Sequence, residues 1–154
     1  MLEYYQRNIG KKVWLFDAKM RDVLVKDKVY DVVGVKNVPT KWGTTVPSFV
    51  LRNGNETKTV KYCEVVFLPD NSLPEEVKVS KYLSDNEVFA SEVYFPFADE
   101  KELQVTINSG DWKHDHYRAD WLMEQIGYEV QNEITIGETL EDNYDAIHTY
   151  SKIA

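Results

Sequence analysis

The sequence predicts an α+β protein in which a small antiparallel β-barrel, SH3-like in strand number, precedes a ββαββ unit with one main helix. Three observations predict this class. Residues 1–69 contain four or five short runs with a period of two, separated by turn residues. Residues 112–126 show one clear helical period. The sign of the charge changes near residue 70, within a stretch rich in proline and polar residues.

The division at residue 70 is marked most strongly by charge. Residues 1–69 contain twelve Lys or Arg against seven Asp or Glu, a net charge of +5, whereas residues 70–154 contain six against nineteen, a net charge of −13. We therefore expect a basic barrel over 1–69, a linker over 70–80 and an acidic ββαββ unit over 81–154. A length of 154 residues also suits a single domain with one shared core.

Strands of the basic half are predicted from alternation and turn signals. Gly34 lies inside the strongest apolar run and predicts a bulge or bend. Asn53-Gly54 predicts a tight hairpin, because both residues tolerate positive φ. The expected strands are Lys11–Phe16, Val29–Val38, Ser48–Arg52 and Thr57–Leu68.

In the acidic half, 81–87 is expected to be irregular, followed by strands over 88–95 and 103–108. Residues 128–136 alternate, with Tyr128, Val130, Ile134 and Ile136 expected on one face. An acidic loop is expected over 137–143. The composition of 144–153 favours a strand, with a helix as the alternative.

The helix over 112–126 is predicted from the spacing of Tyr117, Trp121, Leu122 and Ile126. Acidic residues at its start can accept free backbone N–H groups and interact with the positive end of the helix dipole. Gly127 is a suitable stop, because it adopts the left-handed conformation without a Cβ clash.

A polar cluster surrounds the start of this helix. Imidazole and carboxylate groups bind zinc, manganese or iron, and histidine also serves as an acid or base near neutral pH. The simpler alternative is a capped helix whose polar side chains are solvated, since the H-x-H spacing is not part of a complete metal-binding or catalytic motif. Catalytic candidates are His114, His116, His148, Asp111 and Asp115, of which the histidines are also the metal candidates; Asp120 belongs to the same cluster.

The geometry of an α-helix limits this cluster. His114 and His116 are two positions apart, about 200° around a helix, so they converge only if the segment is still extended. A site that also includes His148 requires the fold to bring the 144–153 segment beside the helix start.

The basic half suggests a second kind of site. Lysines interleaved with aromatic residues can bind nucleic acid by charge and base stacking, although lysines facing outward from solvated strands give the same pattern. Lys41 and Trp42 are the candidate binding residues of this half, and Trp112 and Arg118 are further binding candidates in the acidic half.

These observations lead to three functional hypotheses. The first is a small non-enzymatic protein that binds a protein partner, with an accessory or inhibitory role and no cofactor. The second is a metal-dependent hydrolase or nuclease, with a divalent metal at the histidine cluster. The third is a nucleic-acid-binding module in residues 1–69. No long apolar run or signal segment is present, so we expect a soluble, cytoplasmic protein without a membrane partner.

The single cysteine, Cys63, excludes an intramolecular disulfide and is expected to be buried in a strand.

Overall fold

The computed structural model describes residues 2–20, 22–108, 114–140 and 143–153. Within these ranges the chain forms two antiparallel sheets, of five and four strands, and three helices. The predicted α+β class is therefore confirmed. The chain divides into two compact units, Met1–Leu68 and Pro69–Ala154. None of the helices described in these ranges has the length and apolar character needed to cross a membrane.

The first unit is a five-stranded antiparallel sheet with strand order β4-β3-β2-β1-β5. The first four strands form a meander, and the last strand returns to pair with β1. Its elements are α1 (Leu2–Gln6), β1 (Lys12–Phe16), β2 (Leu24–Pro39), β3 (Thr45–Asn53), β4 (Glu56–Lys61), a 3₁₀ turn (Tyr62–Glu64) and β5 (Val65–Phe67).

Two glycines act as the sequence predicted. The β2–β3 register shifts between Val32 and Gly34, which is the expected bulge. Gly54 has a φ of 58° in the turn between β3 and β4, which is the expected hairpin.

The core of the first unit lies on one face of this sheet. Phe49 and Phe67 pack edge to face, with ring centroids 5.8 Å apart. The buried cluster comprises Val13, Tyr30, Val32, Phe49, Leu51, Val65 and Phe67.

The predicted closed barrel is not found among the described residues, since β4 and β5 do not pair with each other. After β4 the chain turns through Tyr62–Glu64, and β5 is only three residues long. Cys63 lies in that turn and is exposed, so the expectation of a buried thiol in a strand is wrong.

The second unit is a four-stranded antiparallel sheet with order β6-β7-β9-β8 and two helices. The predicted main helix and the predicted final strand are both present. Its elements are α2 (Glu75–Asp85), β6 (Ala90–Tyr94), β7 (Glu102–Asn108), α3 (His114–Gln125), β8 (Tyr128–Leu140) and β9 (Asn143–Lys152). Because β8 runs to Leu140, strand replaces most of the acidic loop expected over 137–143.

Helix α2 corrects the predicted linker over 70–80 and the predicted irregular segment over 81–87. Val79, Tyr82 and Leu83 share one helical face and are fully buried. Pro74 immediately precedes the helix, a region where a missing N–H costs little. The proline that suggested a linker instead marks a helix start, so the unit has the order αββαββ.

Strand β8 corrects the predicted alternation over 128–136. The β8–β9 register shifts between Val130 and Asn132, so one extra residue is inserted. Tyr128 faces the helices, but Ile134 and Ile136 lie on the opposite face and are 57% and 42% exposed. Glu133, expected to point outward, lies directly opposite the buried His148.

The buried face of α3 is also rotated from the predicted stripe. Ala119, Leu122 and Met123 are fully buried, and His116 is buried beside them. Tyr117 was expected in the stripe but is 67% exposed. Gly127, with a φ of 92°, lies just after the helix as predicted.

The start of α2 is held to the start of β8 by a charged hydrogen bond. The Tyr128 hydroxyl donates to Glu75 Oε1 at 2.6 Å, and Lys78 Nζ lies 3.0 Å from Glu75 Oε2. Burial raises the pKa of Glu75, but the hydrogen bonds from Tyr128 and Lys78 outweigh it, and the net pKa is lowered. A lowered folded-state pKa stabilises the fold above the unfolded pKa of about 4.3, and this contribution is lost as the pH falls through the folded value.

We expect Glu75→Gln to lower the free energy of unfolding at pH 7, and the difference from wild type to shrink below about pH 4. Urea unfolding at a series of pH values measures this difference. Glu76→Gln, on the same turn and exposed, is the matched control. A difference that stays constant with pH would contradict the role of the Glu75 carboxylate.

Candidate functional site

The two buried histidines of the second unit meet between α3 and β9. His116 Nδ1 and His148 Nε2 are 2.8 Å apart, and the two rings are nearly parallel, with an interplanar angle of 4°. Both side chains are almost fully excluded from solvent. The fold therefore places β9 beside the first turn of α3, as a site using both residues requires.

The outer nitrogen of His116 is held by the backbone. His116 Nε2 lies 3.0 Å from the carbonyl oxygen of Tyr144, and the Tyr144 ring stacks on the imidazole at 4.3 Å between centroids. Since a carbonyl can only accept, we assign the ring hydrogen to Nε2. In this neutral tautomer Nδ1 has no hydrogen, and its lone pair is directed at His148.

The outer nitrogen of His148 is held by a carboxylate. His148 Nδ1 lies 2.9 Å from Asp120 Oδ1, which also accepts the Tyr150 hydroxyl at 2.7 Å. Burial, followed by the charge of Asp120, raises the pKa of Tyr150, so the hydroxyl keeps its proton. We therefore assign the hydrogen of His148 to Nδ1, which leaves a bare electron pair on Nε2.

Glu133 supplies a third donor atom. Its Oε1 lies 3.3 Å from His116 Nδ1 and 3.1 Å from His148 Nε2. Its place in the β8–β9 register, after the inserted residue, turns it toward the histidines. The outer hydrogen bonds fix the tautomers of both histidines. In these tautomers His116 Nδ1, His148 Nε2 and Glu133 Oε1 each direct a lone pair at the others, with no hydrogen between them. Such an arrangement is repulsive unless a proton or a metal ion lies among the three atoms.

Two of the three separations between these atoms match those of zinc ligands, and the third is shorter. Zinc bonds to nitrogen and oxygen are about 2.0–2.2 Å long, so the ligands of a tetrahedral centre are about 3.3 Å apart. The three pairs here are 2.8, 3.1 and 3.3 Å apart. Each histidine also donates its other N–H to a protein oxygen, the arrangement that orients metal-binding imidazoles.

Access to the group is through the carboxylate. The Glu133 side chain is 36% exposed, whereas the two histidine side chains are at most 2% exposed. Three protein ligands leave a coordination position for water, and a bound divalent ion lowers the pKa of such a water toward neutrality. The geometry can therefore support metal binding and the activation of one water molecule.

Other residues of the predicted cluster are not part of this group. Asp111 and Trp112 lie outside the described residues, as does the side chain of His114, which is the first residue of α3. Asp115 is in the first turn of α3 and is partly exposed. It is absent from the three-ligand group that the described residues form.

The remaining binding candidates lie elsewhere. Arg118 Nε donates to the Asn86 carbonyl oxygen at 3.4 Å, so it ties α3 to the end of α2. Trp42 is 79% exposed in the turn between β2 and β3, with Lys41 Nζ 5.0 Å from its ring centroid.

Sequence reasoning missed Glu133, Tyr144 and Tyr150 as parts of the site. The i, i+2 spacing of His148 and Tyr150 on one strand was a usable signal, because such residues share a face. No local pattern signals that Glu133 turns inward, since that depends on a bulge in β8.

Comparisons of the chain with protein-family models, with curated proteins and with solved structures found no match.

Proposed function

We propose that the second unit binds one divalent transition metal ion through His116, His148 and Glu133, with zinc the best match. One observation carries this proposal: three electron-pair donors converge while both outer histidine nitrogens are held by protein oxygens. A metal ion satisfies all three donors at once. A shared proton could satisfy the two nitrogens without the precise placement of Glu133.

The donor set decides which metals are expected. Two imidazole nitrogens favour zinc, copper, iron or nickel over calcium and magnesium, which prefer oxygen ligands. Two histidines and one glutamate form a known catalytic zinc set with one open position. A metal-dependent hydrolase is thus the enzymatic form of this proposal, with Asp120 and the Tyr144 carbonyl as the groups that orient the two ligands.

Charge bears on the substrate of such an enzyme. Residues 70–154 have a net charge of −13, which repels polyanions. We therefore favour a neutral or cationic substrate over a nucleic acid for this centre. Among metal-dependent hydrolases, a nuclease is thus the less favoured kind.

A protein partner is a second proposal, supported by the outer face of β8. Ile134 and Ile136 are exposed there, at the edge of the sheet, and the same face presents Glu129 and Asp145. An edge strand has unpaired backbone groups that another strand can join. An extended segment with basic and apolar side chains fits this edge, and an accessory or inhibitory role would act through it.

The first unit is proposed to be an open SH3-like barrel. Support comes from the pairing of β1 with both β2 and β5, which returns the chain to its start after a four-strand meander. The bulge at Gly34 bends the long strand β2, as a curved sheet requires.

Zinc titration of chelator-treated protein tests the metal proposal. We expect one ion to bind, and the free energy of unfolding to rise by about 2.7 kcal/mol when free zinc is a hundred times the Kd. Glu133→Gln is expected to weaken zinc binding by about tenfold or more, because the negative charge of one ligand is lost. Calorimetry and thermal unfolding measure the two effects.

Glu129→Gln is the matched control, because Glu129 lies on the same strand but pairs with Ser151. His114→Ala shows whether the third histidine contributes. No saturable binding, or equal losses in Glu133→Gln and Glu129→Gln, would refute the metal centre.

The carboxylate behind His148 gives a second test. Asp120→Asn is expected to weaken zinc binding about 10- to 100-fold, because His148 loses the charged partner that fixes its tautomer. Asp115→Asn, on the same helix, is expected to change affinity little. Equal effects of the two substitutions would contradict the assigned role of Asp120.

The β8 edge is tested with a synthetic peptide of alternating lysine and valine. We expect amide resonances of β8 to shift most in NMR titration of ¹⁵N-labelled protein, and Ile134→Lys to abolish these shifts through charge repulsion and lost apolar contact. Shifts spread evenly over both units would argue against this docking edge.

A further inference from the structure

The structure of the first unit points to a second binding surface, independent of the proposed metal centre. We propose that the outer face of the β2–β3–β4 sheet and the turn that carries Trp42 bind single-stranded nucleic acid. Trp42 would stack on a base, and nearby lysines would contact phosphates. The surface is defined by Lys36, Lys41, Trp42 and Lys61.

Hydrogen bonds hold the backbone of the turn that carries Trp42. Thr40 N donates to the Thr44 carbonyl oxygen at 2.8 Å, and the hydroxyls of these two threonines are 2.8 Å apart. Trp42 N also donates to Thr40 Oγ1 at 3.3 Å. These bonds hold the backbone of the turn, so the segment that carries the exposed ring needs little further ordering when a base stacks on it.

Strand register places two lysines on the face that leads to this turn. Lys36, Ser48 and Lys61 are directly opposed across β2, β3 and β4, so they point to one side of the sheet. The adjacent row contains Phe49, which is buried in the core on the other side. Lys36 and Lys61 are therefore on the outer face and are exposed, with the buried Ser48 between them, and Lys36 lies about 13 Å of strand from Thr40 at the turn.

These lysines are available to a ligand. Among the described residues, Lys36, Lys41 and Lys61 make no ion pair, and the sequence between Asp31 and Glu56 contains no acidic residue. Other lysines of the first unit are already paired with acids, namely Lys12, Lys28 and Lys58. The surface is thus locally cationic in a chain of net charge −8.

The chemistry of the turn favours a polynucleotide over a membrane. The neighbours of Trp42 are Thr40, Lys41, Gly43 and Thr44, all polar or small. Membrane binding through a loop needs several adjacent apolar side chains, in addition to positive charge. A single aromatic ring beside lysines instead matches stacking and phosphate contact.

Fluorescence anisotropy with labelled oligothymidylate and oligouridylate of about 12 nucleotides tests the proposal. We expect binding at low salt that weakens as the salt concentration rises. Comparison of the DNA and RNA oligonucleotides shows whether the surface prefers deoxyribose or ribose. Trp42→Ala should weaken binding about 5- to 150-fold, and Trp42→Phe should retain most of it. The double variant Lys36→Gln/Lys61→Gln should reduce the slope of log binding constant against log salt concentration by about 1.4, because two phosphate contacts are lost.

The control variants are matched in kind. Lys12→Gln/Lys28→Gln removes two paired lysines of the same unit, and Phe97→Ala removes a 61% exposed aromatic side chain of the second unit. Smaller losses in both controls support the surface. Losses equal to those of the test variants, no binding at low salt, or binding to phosphatidylserine vesicles but to neither oligonucleotide would overturn it.

Discussion

The contact between His116 Nδ1 and His148 Nε2 is the constraint on which the second unit depends. Both rings are buried, and a buried polar nitrogen without a partner is costly. Protein oxygens of Tyr144 and Asp120 satisfy the outer nitrogens, which leaves the inner electron pairs facing each other at 2.8 Å. Either a shared proton or a bound metal ion relieves that arrangement, and the metal proposal rests on Glu133 as the third donor beside the two rings.

One inserted residue in β8 connects this chemistry to the surface of the protein. Before the bulge, Tyr128 faces the helices and bonds to Glu75. After it, Glu133 faces His148 while Ile134 and Ile136 are exposed. The same register shift therefore completes the donor set and leaves an apolar, acidic edge. The proposed metal centre and the proposed protein-binding edge are two faces of one strand.

The two units differ in the partners that their charges permit. Lysines that make no ion pair with any described residue, and an exposed indole, characterise the outer face of the first unit, whereas the second unit has a large excess of carboxylates. Electrostatic steering would favour anionic ligands at the first and cationic ligands at the second. The charge division near residue 70 thus has a direct functional meaning in these proposals.

The sequence by itself determined features that depend on neighbouring residues: the α+β class, the presence of the α3 helix and the Asn53-Gly54 hairpin. For 144–153 it favoured a strand but left a helix open. It also named His116, His148 and Asp120 among six residues of a candidate cluster, without deciding whether they converge. Residues 75–85 carried a local helix signal in the i, i+3, i+4 spacing of Val79, Tyr82 and Leu83, but only the burial of this face in the tertiary structure decided between helix and linker. Likewise, Glu133 joins the histidines through a strand register, which is set by pairing with β9 and has no local signature.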